Sequence, residues 1–124
     1  MFHCTFDQSW DVNYDAWPDR WERRTGPDYP HYARLEIRDV ANTRGARVLA
    51  IEPDGAAAGI DSPAIRVLPR FSYVLEAQLL ARKIKHSHVR LTITFFDAQD
   101  QAVETITSDP YRSTNDWTTI RIGP

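Results

Sequence analysis

The stretch FSYVLEAQLLA, residues 71–81, decides the fold class of this chain. Its odd positions are aromatic or aliphatic, and the even positions between them include Ser72, Glu76 and Gln78. An apolar residue at every second position gives an extended strand one apolar face and one polar face. The pattern therefore predicts a β-strand with one face packed and the other in water, as in an antiparallel sheet.

The same alternation recurs along the rest of the chain. Residues 89–95 alternate apolar side chains with Arg90, Thr92 and Thr94, and a turn at 97–101 leads into a returning hairpin strand at 102–107. No convincing amphipathic helix interrupts this rhythm, so we predict an all-β fold, a β-sandwich or jelly roll of about eight antiparallel strands. The other predicted strands are 2–6, 32–40, 48–51, 56–60, 64–68 and 117–122.

Length and composition are those of one ordinary globular domain. The chain has 124 residues, is 42% hydrophobic and 26% charged, and carries a formal net charge of −2. This balance argues against nucleic acid as a partner, and no stretch approaches the roughly 18 apolar residues of a membrane helix. Cys4 is the single cysteine, which excludes an internal disulfide. We expect one module, residues 1–124, that belongs to a longer protein.

Residues 7–32 depart from the strand rhythm. They hold three of the four tryptophans, three tyrosines and three prolines among many charges. Pro18 disfavours helical geometry at Trp17, so we predict one long aromatic loop with a short helical turn after Pro18. Loops of this length in compact domains are often functional.

The sequence contains none of the common catalytic signatures, and we expect no enzyme activity. It lacks G-x-S-x-G, H-E-x-x-H and a phosphate-binding glycine loop. Cys4 follows His3, but neighbouring strand residues point to opposite faces, so an inert cysteine is expected. The pair His86 and His88 has a spacing that a metal can use, although two polar residues at a turn are the ordinary interpretation.

Two groups of residues are candidates for ligand binding. Trp10, Tyr14 and Trp17 lie in the aromatic loop, where rings can stack on sugars or anchor a partner, and packing inside the loop is the structural alternative. The second group lies on the polar sheet faces and consists of Glu76, Gln78 and Arg82, with Arg90 beside them if strands 71–81 and 89–95 pair. Its side chains suit hydroxyl-rich ligands, and a solvated face is the alternative.

The order of these landmarks resembles the galactose-binding-like jelly rolls, which include many carbohydrate-binding modules. The matching segments are FDQSW at 6–10, RGARVL at 44–49, YVL at 73–75, the strand and turn at 91–97, and the final WT strand at 117–122. The loop segments WPDRW at 17–21 and 27–32 are similar to N-terminal modules of large uncharacterised bacterial proteins of planctomycete type. The resemblance implies the jelly-roll fold, and the group is often extracytoplasmic or at the cell surface.

The resemblance also implies a structural calcium ion and a function. Asp7 matches the acid of the first strand, the turn at 42–45 would give carbonyl oxygens, and Asp116 would stand for the terminal acid; oxygen donors of this kind suit Ca²⁺. No other cofactor is expected. We therefore expect a non-catalytic module that binds carbohydrate or a cell-surface polymer. The alternative is a structural or protein–protein interaction domain that contacts a neighbouring domain and binds no small ligand.

Overall fold

The structure is a computed structural model that describes residues 1–40 and 46–124. The chain divides into two compact units, Met1–Arg66 and Val67–Pro124. The described residues form β-strands, turns and one short 3₁₀ turn at Gln8–Trp10, without any α-helix. The strands are β1 (Glu22–Arg23), β2 (Arg34–Asp39), β3 (Arg47–Glu52), β4 (Ile60–Asp61), β5 (Leu75–Leu79), β6 (Thr92–Phe96), β7 (Ala102–Thr107) and β8 (Thr118–Ile122).

The all-β, antiparallel class predicted from the alternation is confirmed. Every strand pairs antiparallel with one other strand, giving the pairs β1–β4, β2–β3, β5–β8 and β6–β7. Each pair is a separate two-stranded sheet in the described part of the chain. Two-stranded pairs are marginal alone, so the stability of each unit depends on packing beyond the ladders.

The first unit is built on the β2–β3 pair. Leu35 lies opposite Ile51 and Ile37 opposite Leu49, which puts aliphatic side chains on one face of the pair. The shorter β1–β4 pair is joined by an ion pair, in which the guanidinium of Arg24 donates to both carboxylate oxygens of Asp61 at 2.9 to 3.1 Å. The Asp61 carboxylate raises the pKa of Arg24 above its ordinary value.

The buried apolar residues of the second unit lie on β8 and just after β5. Ile120 and Ile122 are buried on β8, and in the ladder they lie opposite Ala77 and Leu75 of β5. Ala81 is also buried; its N–H donates to the Thr114 hydroxyl at 3.0 Å. Its carbonyl oxygen accepts the Thr114 N–H at 2.9 Å. The predicted strand continues to residue 81, whereas β5 ends at Leu79, because the Ala81 backbone bonds Thr114, which is not part of a strand.

The hairpin β6–β7 forms as its sequence predicts. Asp97 closes the turn, because its carboxylate accepts the N–H groups of Gln99 and Gln101 at 2.8 and 2.9 Å. Asp100 takes a positive φ of 58°, a conformation that Asp tolerates in turns. At the other end, the buried Ser108 hydroxyl accepts the Leu91 N–H at 3.0 Å and donates to the Asp109 carbonyl oxygen.

Two strand predictions and the predicted position of the helical turn are wrong. Residues 2–6 form no strand, because Phe6 has a positive φ of 55° and the Asp7 carboxylate draws Thr5 into a local hydrogen bond. Residues 64–68, between two prolines, form no strand either. The helical turn expected after Pro18 lies before it, at Gln8–Trp10, and Pro18 is followed by a turn closed by a Trp21 N–H to Pro18 O bond of 3.2 Å.

Candidate functional site

The aromatic loop of the first unit is held by carboxylates that accept backbone N–H groups. Asp11 accepts from Asp15 at 3.0 Å and from Ala16 at 2.9 Å, one on each carboxylate oxygen. Asp15 in turn accepts the Trp17 N–H at 2.9 Å, and Asp19 accepts the Val12 N–H at 3.0 Å. These bonds connect residues up to seven positions apart, so the loop has a defined backbone path although it contains almost no regular structure.

Tyr14 is the candidate aromatic that projects into solvent. Its side chain is 91% exposed, and its backbone has a positive φ of 58°. Trp10 is half-buried, and its ring packs edge-to-face with that of Phe2, with 5.6 Å between the ring centroids. Trp17 is half-buried as well, and its indole N–H donates to the Trp21 carbonyl oxygen at 2.8 Å. Of the three candidate rings, Tyr14 is therefore the exposed one, whereas the two tryptophans contact neighbouring residues.

A small cavity lies under this loop. Its volume is about 40 Å³, and its walls include Phe6, Asp7, Asp11, Trp17 and Arg47. That space suits one or two water molecules and is too small for a sugar ring.

Asp7 has a local structural role. Its carboxylate accepts the Ser9 N–H at 2.9 Å and the hydroxyls of Ser9 and Thr5, and its carbonyl oxygen accepts the Trp10 N–H at 3.1 Å. The hydrogen bonds from Ser9 and Thr5 lower the pKa of Asp7. Asp7 therefore caps the short 3₁₀ turn in the manner of an N-cap residue.

The two acids that the resemblance implies for calcium belong to different units. Asp7 belongs to the first unit and Asp116, whose carboxylate accepts the Trp117 N–H at 2.7 Å, belongs to the second. The turn at 42–45 lies outside the described residues. Within residues 1–40 and 46–124, no three His, Cys, Asp or Glu side chains are grouped to hold a metal ion. The calcium site stays a prediction.

Sequence reasoning missed one pattern in the aromatic loop. The spacing of oxygen-bearing side chains over residues 11–22 follows that of a twelve-residue calcium loop, with alanine where such loops have glycine. Ala16 at that position has a φ of 64°, the left-handed conformation for which the glycine is used. Only the spacing of these side chains in the sequence indicates the pattern, and the residues are Asp11, Asn13, Asp15, Asp19 and Glu22.

The polar sheet face of the second unit is assembled differently from the prediction. Glu76 and Gln78 are exposed on β5 as expected, but β5 pairs with β8 and not with β6. Arg121 therefore lies opposite Glu76, and Thr119 lies opposite Gln78 and accepts its side-chain N–H at 2.7 Å. The carboxylate, amide, hydroxyl and guanidinium groups expected on one face are present, with Arg121 in the place predicted for Arg90.

The remaining predicted residues are exposed and separate from this face. Arg82 follows β5, and Arg90 precedes β6, whose ladder partner is β7. His86 and His88 are exposed. Cys4 is half-buried, and burial raises the pKa of its thiol.

Comparisons with known proteins give no match. No protein-family model matches the chain, and neither a curated protein nor a solved structure matches it. In the part of the chain that the structure describes, no helix has the length and apolar character needed to span a membrane.

Proposed function

We propose that this chain is a non-catalytic module of the galactose-binding-like, jelly-roll kind that binds carbohydrate or a cell-surface polymer. The observation that carries the proposal is the exposed Tyr14 ring on a loop whose backbone is held by Asp11, Asp15 and Asp19. A loop backbone that is already held in place loses little conformational entropy when a ligand stacks on a ring that the loop carries. The flat phenol also offers an apolar face and a polar tip, which matches the two kinds of surface on a sugar.

The polar face of β5 and β8 supports the same proposal. Glu76 accepts hydrogen bonds, Arg121 donates them, and the amide of Gln78 does both. Side chains of this kind recognise hydroxyl groups because each of their bonds has a fixed direction. The face is exposed, and the Gln78–Thr119 bond holds one of its members in place.

A second candidate function is a protein–protein interaction domain without a small ligand. It is favoured by the number of large apolar side chains exposed in the second unit, because exposed apolar surface often marks a contact with another protein. In this reading, the apolar side chains would pack against a neighbouring domain of the same protein. They include Leu68, Phe71, Val74, Phe96, Val103 and Trp117.

A glycan array followed by titration calorimetry on the hits separates these two functions. We expect at least one carbohydrate to bind, and Tyr14→Ala to weaken its affinity about tenfold, as for the loss of one aromatic anchor. Tyr32→Ala is the matched control, since Tyr32 is also an exposed tyrosine of the first unit and should leave the affinity unchanged. Absence of binding to every glycan would refute the proposal and favour the interaction domain.

A further inference from the structure

The outer face of the β6–β7 hairpin carries a ladder of threonine hydroxyls. Thr92 lies opposite Thr107 and Thr94 opposite Thr105, and each pair of hydroxyl oxygens is 3.4 Å apart. Three of the four side chains are exposed and Thr94 is half-buried. The ladder therefore presents two rows of hydroxyl groups that already contact each other across the strands.

The other face of the hairpin explains why the hydroxyls point to solvent. Ile93 and Ile106 are opposite each other on that face and are half-buried, and the ring of Phe95 lies 6.3 Å from that of Tyr73. Strand residues alternate between faces, so packing these apolar residues inward directs the threonines outward. The orientation of the ladder is thus set by the apolar residues between its members.

An exposed aromatic ring lies at one end of the ladder. Phe96 is 57% exposed and continues the alternation of Thr92 and Thr94 on β6. The ladder register shifts between Phe95 and Phe96, which leaves Val103 of β7 unpaired and 64% exposed beside them. From Thr92 to Phe96 the strand rises about 14 Å, which is long enough for several sugar units.

Between Thr92 and Phe96 the face carries no charged side chain, and the exposed Arg90, two residues before Thr92, lies beyond its end. The alternation puts Thr92, Thr94 and Phe96 on it from β6, and Thr105 and Thr107 from β7, whereas Glu104 lies opposite Phe95 on the other face. A surface without charge gives no electrostatic attraction to an anionic or cationic polymer. Hydroxyl groups and one aromatic ring instead complement a neutral chain that has both hydroxyls and apolar C–H faces.

We propose that the outer face of the β6–β7 hairpin binds a neutral polysaccharide chain lying along the strands. The proposal rests on the carbohydrate binding proposed above and adds a second surface and a ligand class. Phe96 stacks on one sugar ring, and the hydroxyls of Thr92, Thr105 and Thr107 exchange hydrogen bonds with the following units. The paired threonines are held by their strand ladder, so few side-chain rotations are lost on binding.

The test measures binding of the full chain to a soluble neutral β-glucan and to polygalacturonate, an anionic polysaccharide, in low and high salt. We expect the neutral glucan to bind with an affinity that salt does not change. Phe96→Ala should weaken it about tenfold, and Thr105→Val, which keeps the branched shape and removes the hydroxyl, about threefold. Thr118→Val is the control, because Thr118 is an exposed threonine of β8, outside this face.

Each other outcome overturns the proposal in a recognisable way. If both face variants bind as the wild type does while Tyr14→Ala abolishes binding, this face is not a site and the carbohydrate-binding function stands. Preferred binding of polygalacturonate that weakens in high salt would overturn the neutral ligand class. If Phe96→Ala converts a dimer into a monomer in sedimentation, the face is a contact between two copies. If neither polymer binds and the glycan array gives no hit, both this proposal and the proposed carbohydrate-binding function are refuted.

Discussion

Gly123 offers a sharp test of the second unit, because its backbone leaves no room for a side chain. It follows β8 with a φ of 95°, and a Cβ atom at this position would lie 2.3 Å from the Tyr73 carbonyl oxygen. The atom in the way belongs to the backbone, so no side-chain rotation relieves the contact. Gly123→Ala must displace either the end of β8 or the segment before β5.

The cost has two parts. An alanine at positive φ costs about 1–2 kcal/mol, and forcing an extra carbon into a filled space costs about 1–3 kcal/mol more. We therefore expect Gly123→Ala to lower the free energy of unfolding by about 3 kcal/mol. Gly55→Ala is the matched control: Gly55 has a φ of 83° but no atom within 4 Å of the added Cβ, so only the first part applies.

Urea unfolding of both variants, followed by circular dichroism, measures the difference. We expect Gly123→Ala to be more destabilised than Gly55→Ala by about 2 kcal/mol, which corresponds to the steric part. Loss of amide protection against hydrogen exchange should centre on β5 and β8. Equal destabilisation of the two variants would refute the close approach of Gly123 to Tyr73.

Three further predictions concern the first unit and the ion. The pKa of Asp7 is lowered from its ordinary 3.8, so the ionised Asp7 carboxylate stabilises the fold at neutral pH, and this stabilisation is lost as the pH falls through the lowered pKa. In Asp7→Asn, the urea midpoint of unfolding should therefore depend less on pH below about 4. Cys4 should react with iodoacetamide more slowly than free cysteine at pH 8, because burial raises its pKa, and at the normal rate in urea. The melting temperature should be higher with calcium than with a chelator, and equal melting temperatures would contradict calcium binding. If Asp116→Asn loses the increase, the site implied by the resemblance is supported. If only Asp15→Asn loses it, the ion binds in the aromatic loop.

Alternation in the sequence identified the strands that have one packed face. Residues 102–107, which the turn at Asp97 brings back beside β6, form β7 at the predicted positions, and β8 differs from its prediction by one residue. Prediction failed where a local feature interrupts an alternating segment. The positive φ of Phe6 does so at the end of residues 2–6, and the Thr114 hydroxyl, which accepts the Ala81 N–H, does so at the end of β5; neither is visible from periodicity.

The candidate site residues were also predicted only in part from the sequence. The sequence identified Tyr14 together with Trp10 and Trp17, but it contained nothing that separated the exposed ring from the two packed ones. Exposure depends on the carboxylate bonds that fold the loop, and those bonds join residues several positions apart.

The sequence by itself determined the all-β class, the polar and apolar face of each alternating strand, and the concentration of aromatic residues in one loop. These properties follow from side-chain type and from the two-residue period of a strand, which are local. Only the tertiary structure decided that β5 pairs with β8, and so that Arg121 and not Arg90 lies beside Glu76. Strand pairing depends on contacts between residues far apart in the chain, such as Ala77 with Ile120, and alternation along one strand carries no information about its partner.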